Sequence, residues 1–193
     1  MKITFELNKK SIEQAKKQIL YIKKIVPKMT KYFMEDVALW LIDRANYHLN
    51  NSDIGENVKI EIRNGGEYDF TPTGIKITNR TQKAVFGEFG VGIVGQSEAH
   101  PNASAEGYEY NVYSPAKFLG GYWSFTTQLE DLDLPQNNVE MQSNGNDYVI
   151  LTQGSKGVWY AYNAIVDART ELSKSNGGEI GALWEQAKRE YIK

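Results

Sequence analysis

Phe86–Gly95 reads FGEFGVGIVG, four glycines interleaved with Phe86, Phe89, Val91, Ile93 and Val94. Glycine alone combines easy access to positive φ with the absence of a side chain, so the pattern predicts a strand that bends or meets another backbone closely. Nucleotide loops have a different make-up. A phosphate loop carries a Lys and then Ser or Thr after its last Gly, and a dinucleotide loop is a Gly turn that opens a helix. Working outward, Ala84–Phe89 reads as a strand, as do Val58–Ile62 and Gly74–Thr78, where apolar and polar residues alternate. Short turns at Gly65–Gly66 and Asn79–Arg80 join them. Such spacing predicts an antiparallel meander with one wet face, because a parallel sheet would need helices between its strands. Tyr148–Thr152 adds a further strand.

Ahead of this sheet, Ile3–Leu7 alternates like a short strand, and Ser11 with Gln14 matches the capping box that opens a helix. Ile12, Ala15, Ile19, Ile22 and Val26 recur at steps of three and four, which predicts one packed face, with Lys16, Lys17, Lys23 and Lys24 on the other. Pro27 predicts a kink or a break, after which Met29, Phe33, Val37, Trp40 and Leu41 carry the stripe on to about Leu49. The Asn50–Asp53 cluster ends the arm. Gln96–Asn146 holds three prolines and many Gly, Ser and Asn residues, and reads as a long excursion with room for a hairpin. Trp159, Tyr162, Ile165, Val166, Ala168 and Leu172 outline a helix within Val158–Ser173, Gly177–Gly178 breaks it, and Ile180–Ile192 forms another. The expected architecture is a single α+β domain over residues 1–193. It has an N-terminal helical arm at 1–52, a sheet from 53–95 and 147–153, a protruding loop at 96–146 and C-terminal helices at 158–192.

Of the 193 residues, 41% are apolar, enough for a core without staples, and the absence of Cys excludes disulfides and thiolate metal sites. The amino-terminal MKITFELNKK lacks the apolar stretch of an export signal, and no run reaches membrane-spanning length, so a soluble cytoplasmic product is expected. The net charge of -2 hides a strong asymmetry. Residues 1–31 carry nine Lys against Glu6 and Glu13, whereas from Ala84 to Ser155 the only base is Lys117, against nine acids. Two readings stand: solvated faces of opposite sign, or surfaces that serve neighbouring subunits or line a passage.

Residue types suited to catalysis are sparse. The two histidines, His48 in a helix and His100 before Pro101, have no ligand partner at motif spacing. Glu130, Asp131 and Asp133 lack the Gly and distal Glu of a calcium loop and read as a solvated acidic turn. No Gly-x-Ser-x-Gly elbow is present. No catalytic residue, cofactor or metal ligand is assigned, and the chain does not read as an enzyme. The aromatics are more informative: Tyr108, Tyr110, Tyr113, Phe118, Tyr122, Trp123 and Phe125 sit in an otherwise polar loop. Tyr and Trp anchor many interfaces because they bury a large area at low entropic cost. The same rings could cap the domain's own core or stack on sugars, while the shortage of Lys and Arg nearby argues against nucleic acid.

Val85–Phe86–Gly87–Glu88–Phe89–Gly90–Val91–Gly92 resembles the EFG-x-G signature of the tail-component family (neck, tail-completion or head–tail joining) of long-tailed double-stranded-DNA bacteriophages. Similar to that family, in order, are His100–Pro101, Gly121–Tyr122–Trp123, Gln153–Gly154 and the aromatic helix start at Trp159, Tyr160 and Tyr162, together with the Lys-rich helix ahead of the sheet. The chain departs from the pattern at Ser155–Trp159, where a Pro-containing lead is usual. The resemblance implies a non-enzymatic virion component, made in the host cytoplasm, that forms a ring at the head–tail junction around the DNA channel. Its implied partners are further copies of itself, head-completion or connector proteins, tail proteins, and DNA passing through without sequence-specific binding; no membrane is involved. On this reading Tyr108, Tyr110, Tyr113, Tyr122, Trp123 and Phe125 are interface candidates, and Glu130, Asp131 and Asp133 are candidates to face the channel. The alternatives are a carbohydrate-binding or glycan-processing module and, within phage, a tail terminator.

Overall fold

The computed structural model describes residues 9–110, 123–128, 139–144, 147–152 and 154–192. The architecture is α+β, as expected. Helix α1 (Lys9–Asn50) is followed by α2 (Glu56–Asn64) and the two-stranded sheet of β1 (Gly66–Thr71) and β2 (Gly74–Asn79). Then come α3 (Gln82–Phe89), β3 (Gly90–Val91) and α4 (Gly92–Ser97). Strands β4 (Trp123–Gln128), β5 (Val139–Asn144) and β6 (Asp147–Thr152) form an antiparallel sheet in the order β4-β6-β5, with Phe125 opposite Ile150 and Met141 opposite Ile150 on the other side. Strand β7 (Gly154–Lys156) pairs antiparallel with β3, Gly90 facing Lys156. Helices α5 (Tyr160–Ser173) and α6 (Gly178–Tyr191) close the chain, with a 3-10 turn at Ser175–Gly177 between them.

Two expected strands are helices. Val58–Ile62 is helix, not strand, because the end of α1 supplies it with partners. The Lys59 ammonium is buried and donates to the carbonyls of Asn50 (3.1 Å) and Ser52 (2.8 Å), acceptors that the end of α1 leaves open. Val58 and Ile62, one turn apart, enter the core formed by Leu49, Ile62, Ala84 and Tyr160. A short apolar alternation suits either period, and tertiary contacts decided it. Ala84–Phe89 is likewise helix. The Thr81 hydroxyl accepts from the Ala84 N–H (3.2 Å), and the Asn79 side-chain oxygen accepts from the Thr81 N–H (3.1 Å), so Asn79–Thr81 is a helix cap rather than a hairpin turn. Asn79 also donates to the Ile62 carbonyl at 2.6 Å, tying the end of α2 to the start of α3.

Helix α1 continues through Pro27 without a break. Its expected packed stripe is only partly packed: Ala15 and Met29 are buried, whereas Ile12, Ile19 and Val26 are exposed. Within Gln96–Asn146, where a loop or hairpin is expected, β4 and β5 pair with β6 on either side of it. The Gly177–Gly178 break stands, with Asn176, Gly177 and Gly178 at φ 72, 73 and 55. Ile3–Leu7 lies outside the described residues.

The chain divides into two compact units. One comprises residues 1–40, 70–75 and 168–193. In it α6 runs antiparallel to α1, as the contacts show: Trp40 donates to Glu179 (2.7 Å), Phe33 packs edge-on to Trp184 (5.2 Å) and Tyr32 lies 5.7 Å from Tyr191. Lys31 sits over the Phe70 ring at 4.7 Å. The other unit, residues 41–69 and 76–167, holds the Leu49–Tyr160 core and the glycine-rich segment.

Candidate functional site

In the second unit the glycine-rich segment is a crossing point of backbones. Gly90 ends α3 at φ 77 and ψ -177, a region open to glycine alone. A Cβ there would stand 2.6 Å from the Ser155 carbonyl oxygen. Close approach to another backbone is therefore what the glycine serves, although helix, not strand, leads up to it. The last carbonyls of α3 are used at once: Gly87 accepts from the Val158 N–H (2.7 Å) and Glu88 from the Trp159 N–H (3.2 Å).

Glu88 then acts a second time through its side chain. Its Oε2 accepts from the Ala161 N–H and its Oε1 from the Tyr162 N–H, both at 2.8 Å, so a carboxylate carried on α3 caps the first turn of α5. Oε1 also lies 3.1 Å from His100 Nε2. The Asn102 N–H donates to His100 Nδ1 at 3.0 Å, which leaves the proton of the neutral ring on Nε2, where it donates to Glu88. Side-chain exposure is 3% for His100 and 11% for Glu88, so both ring nitrogens are committed inside the fold and none is offered to a substrate.

Aromatic rings close the node. His100 lies 4.5 Å from Phe89, 5.7 Å from Trp159 and 5.2 Å from Tyr162. Tyr108 stacks on Phe89 at 4.6 Å and donates to the Gly90 carbonyl at 2.5 Å, and the Tyr110 hydroxyl accepts from the His100 N–H at 2.7 Å. Trp159 enters α5 at φ 56, a left-handed conformation unusual for a residue with a Cβ, and its buried indole N–H has no acceptor. Tyr160 reaches from the start of α5 to the Ala84 carbonyl (3.2 Å), and burial, reinforced by the nearby Glu88, pushes its hydroxyl pKa well up.

The signature residues Glu88, Phe89 and Gly90 thus meet His100 and Trp159–Tyr162 in one place, although up to 74 positions separate the bonded residues. Sequence reading gave both histidines no partner, and both have one: Glu88 for His100, and Asp167 for His48 at 2.8 Å. The His48–Asp167 spacing is 119 residues, beyond any local motif. Phe86 is half-buried and Gly87 buried in α3, while Gly92 opens α4. Of the interface candidates, Tyr110 is buried in this node and so belongs to the interior rather than to a docking face, and Tyr108 is half-buried with its hydroxyl engaged. Trp123 and Phe125 lie in β4. Tyr113, Tyr122, Glu130, Asp131 and Asp133 lie outside the described residues.

Beside the node opens a cleft of ≈880 Å³. Ile77, Val85 and Ile165 give it apolar wall, Tyr108 and Tyr162 give it ring edges, and Glu106 and Glu109 stand at it as exposed carboxylates. Among the described residues no cluster of three His, Cys, Asp or Glu could hold a metal ion, and no helix is long and apolar enough to cross a membrane. Comparison with protein-family models, with curated proteins and with solved structures finds no match.

Proposed function

We propose that this chain is a structural virion protein of the phage neck or tail end, assembling as a ring at the head–tail junction around the DNA channel. The observation that carries the reading is the Glu88–His100 node. The residues on which the family resemblance rests serve one another, as a cap, a buried hydrogen bond and packed rings, and this is what an architectural motif would require. Such a node fixes the start of α5 and the crossing of β3 with β7, and leaves the outer faces of the unit for docking. The charge asymmetry agrees with ring closure, in which one surface meets a different surface on the next copy. Within phage, a tail terminator is the neighbouring role.

Native mass spectrometry and negative-stain imaging of the purified chain, alone and mixed with a head–tail connector, test this. Closed rings are expected, and a lone protomer under both conditions would end the proposal. Trp123→Ala is expected to weaken assembly more than thermal stability; an equal loss of both would put that ring in the core instead. A second reading, a glycan-binding module, draws on the cleft's mix of aromatics and carboxylates. Binding on a glycan array by a monomer would favour it. Against it, Phe89 and Tyr108 stack on each other at 4.6 Å, which covers the faces a sugar would use.

A further inference from the structure

Two surfaces complement each other in both apolarity and charge. The first is on α1. Ile12, Ile19 and Val26 recur every seven residues and are 39%, 55% and 41% exposed. A seven-residue repeat drifts only about 20° per step on an α-helix. The three side chains therefore form one stripe, about 21 Å long at about 1.5 Å per residue. Lys16 and Lys23, each four residues beyond an isoleucine, stand exposed along one edge of the stripe, where the apolar row gives way to the basic side of the helix. The buried Ala15 and Met29 lie only about 40° and 80° around the helix from the middle of this stripe, so the stripe runs along the edge of the packed face and is partly exposed there.

The second surface is the cleft beside the node. Ile77, Val85 and Ile165 line it although they are 38%, 37% and 45% exposed, and Glu106 and Glu109 are exposed at it. Among the described residues no Lys or Arg lines it. Two bases on neighbouring elements point to other acids: Lys83 pairs with Glu61 (2.6 Å) and Arg80 with Glu67 (3.6 Å). A groove with an apolar wall and exposed carboxylates, and a helix stripe alternating Ile, Lys, Ile, Lys and Val, fit as helix in groove.

We propose that the α1 stripe of one copy docks in this cleft of the next copy, making the heterologous contact of the ring. The contact rests on the ring reading and supplies its occupant. Ile12, Ile19 and Val26 provide the buried apolar area, while Lys16 and Lys23 against Glu106 and Glu109 set register and disfavour wrong pairings.

Charge reversal tests it. Lys16→Glu with Lys23→Glu makes an acidic stripe facing an acidic cleft, and Glu106→Lys with Glu109→Lys makes a basic cleft facing a basic stripe. By sedimentation velocity each double variant is expected to self-associate about tenfold more weakly or worse, with an unchanged melting curve because all four residues are exposed. Combining all four changes in one chain, or mixing the two double variants, restores complementary pairs at every contact and is expected to restore assembly. The chain has no Cys, so Ile19→Cys in one chain mixed with Ile165→Cys in another gives an independent readout, a crosslinked heterodimer. Wild-type rings that neither double variant weakens would overturn the contact and leave the ring reading in place. A wild-type chain that never assembles would end both. Loss of assembly that recombination fails to restore, with Lys16→Glu/Lys23→Glu losing retention on double-stranded DNA instead, would assign the stripe to nucleic acid and overturn the contact.

Discussion

Both C-terminal helices begin on a borrowed carboxylate, and the two caps differ in reach. Glu88 caps α5 from 73 residues away, buried, with His100 as a further donor. Glu171 caps α6 from eight residues away, its Oε2 accepting the Glu179 N–H at 2.8 Å while Oε1 takes the exposed Lys174 ammonium. The job is the same in each unit, since the first N–H groups of a helix lack acceptors within it. The difference lies in what else the carboxylate does. The near cap settles a turn already bent by left-handed Asn176, Gly177 and Gly178. The distant cap welds three stretches of chain that local sequence keeps apart, so its removal should be felt well beyond one helix end.

The sharpest way to break the distant site is through its backbone. Gly90→Ala forces a Cβ into a glycine-only conformation and against the Ser155 oxygen. A cost of about 4 kcal/mol is expected, shown as loss of cooperative melting by circular dichroism. Glu88→Ala comes next, at about 3 kcal/mol, because three donors lose their acceptor at once and two of them are the start of α5. Hydrogen exchange at Ala161 and Tyr162 should rise with it; protection that stays as in the wild type would mean the cap is dispensable.

In the other unit Phe33→Ala removes one ring of the edge-on pair with Trp184, at about 2 kcal/mol since both rings are only half-buried. Denaturant unfolding followed by Trp fluorescence reads this directly. The smallest effects are those of pH, and they have opposite signs. Lys174 and the Glu179 N–H hold the Glu171 carboxyl below its ordinary value of 4.5, so its stabilisation is present above that value and is lost as pH falls through the lowered one. Burial, aided by Glu35, holds the Asp36 carboxyl above its ordinary 3.8, and its Oδ2 is buried without a donor. Charging it in the fold is therefore unfavourable. Asp36→Asn is expected to raise Tm at neutral pH and to lose that gain as pH falls below the ordinary value, whereas Glu171→Gln lowers Tm at neutral pH and converges with wild type in acid.

These contrasts also explain which parts were legible from residues alone. Helices α1, α5 and α6, the strands at Gly74 and Tyr148, and the break at Gly177–Gly178 follow from local rules of period, capping and glycine, and the sequence by itself determined them, along with the α+β class and the segregation of charge. The close approach at the glycine-rich segment was legible too, because only glycine tolerates it. Helices α2 and α3 were not, since Val58–Ile62 alternates like a strand and the cap at Thr81 lacks the acidic third residue that would have marked it. The tertiary structure alone decided them, through Lys59 reaching back to the end of α1 and Asn79 bridging α2 to α3. It alone also decided that Glu88, His100 and Trp159–Tyr162 share one site and that the Ile12–Val26 stripe is left partly exposed, because hydrogen bonds and burial act between residues far apart in the chain, where spacing carries no signal.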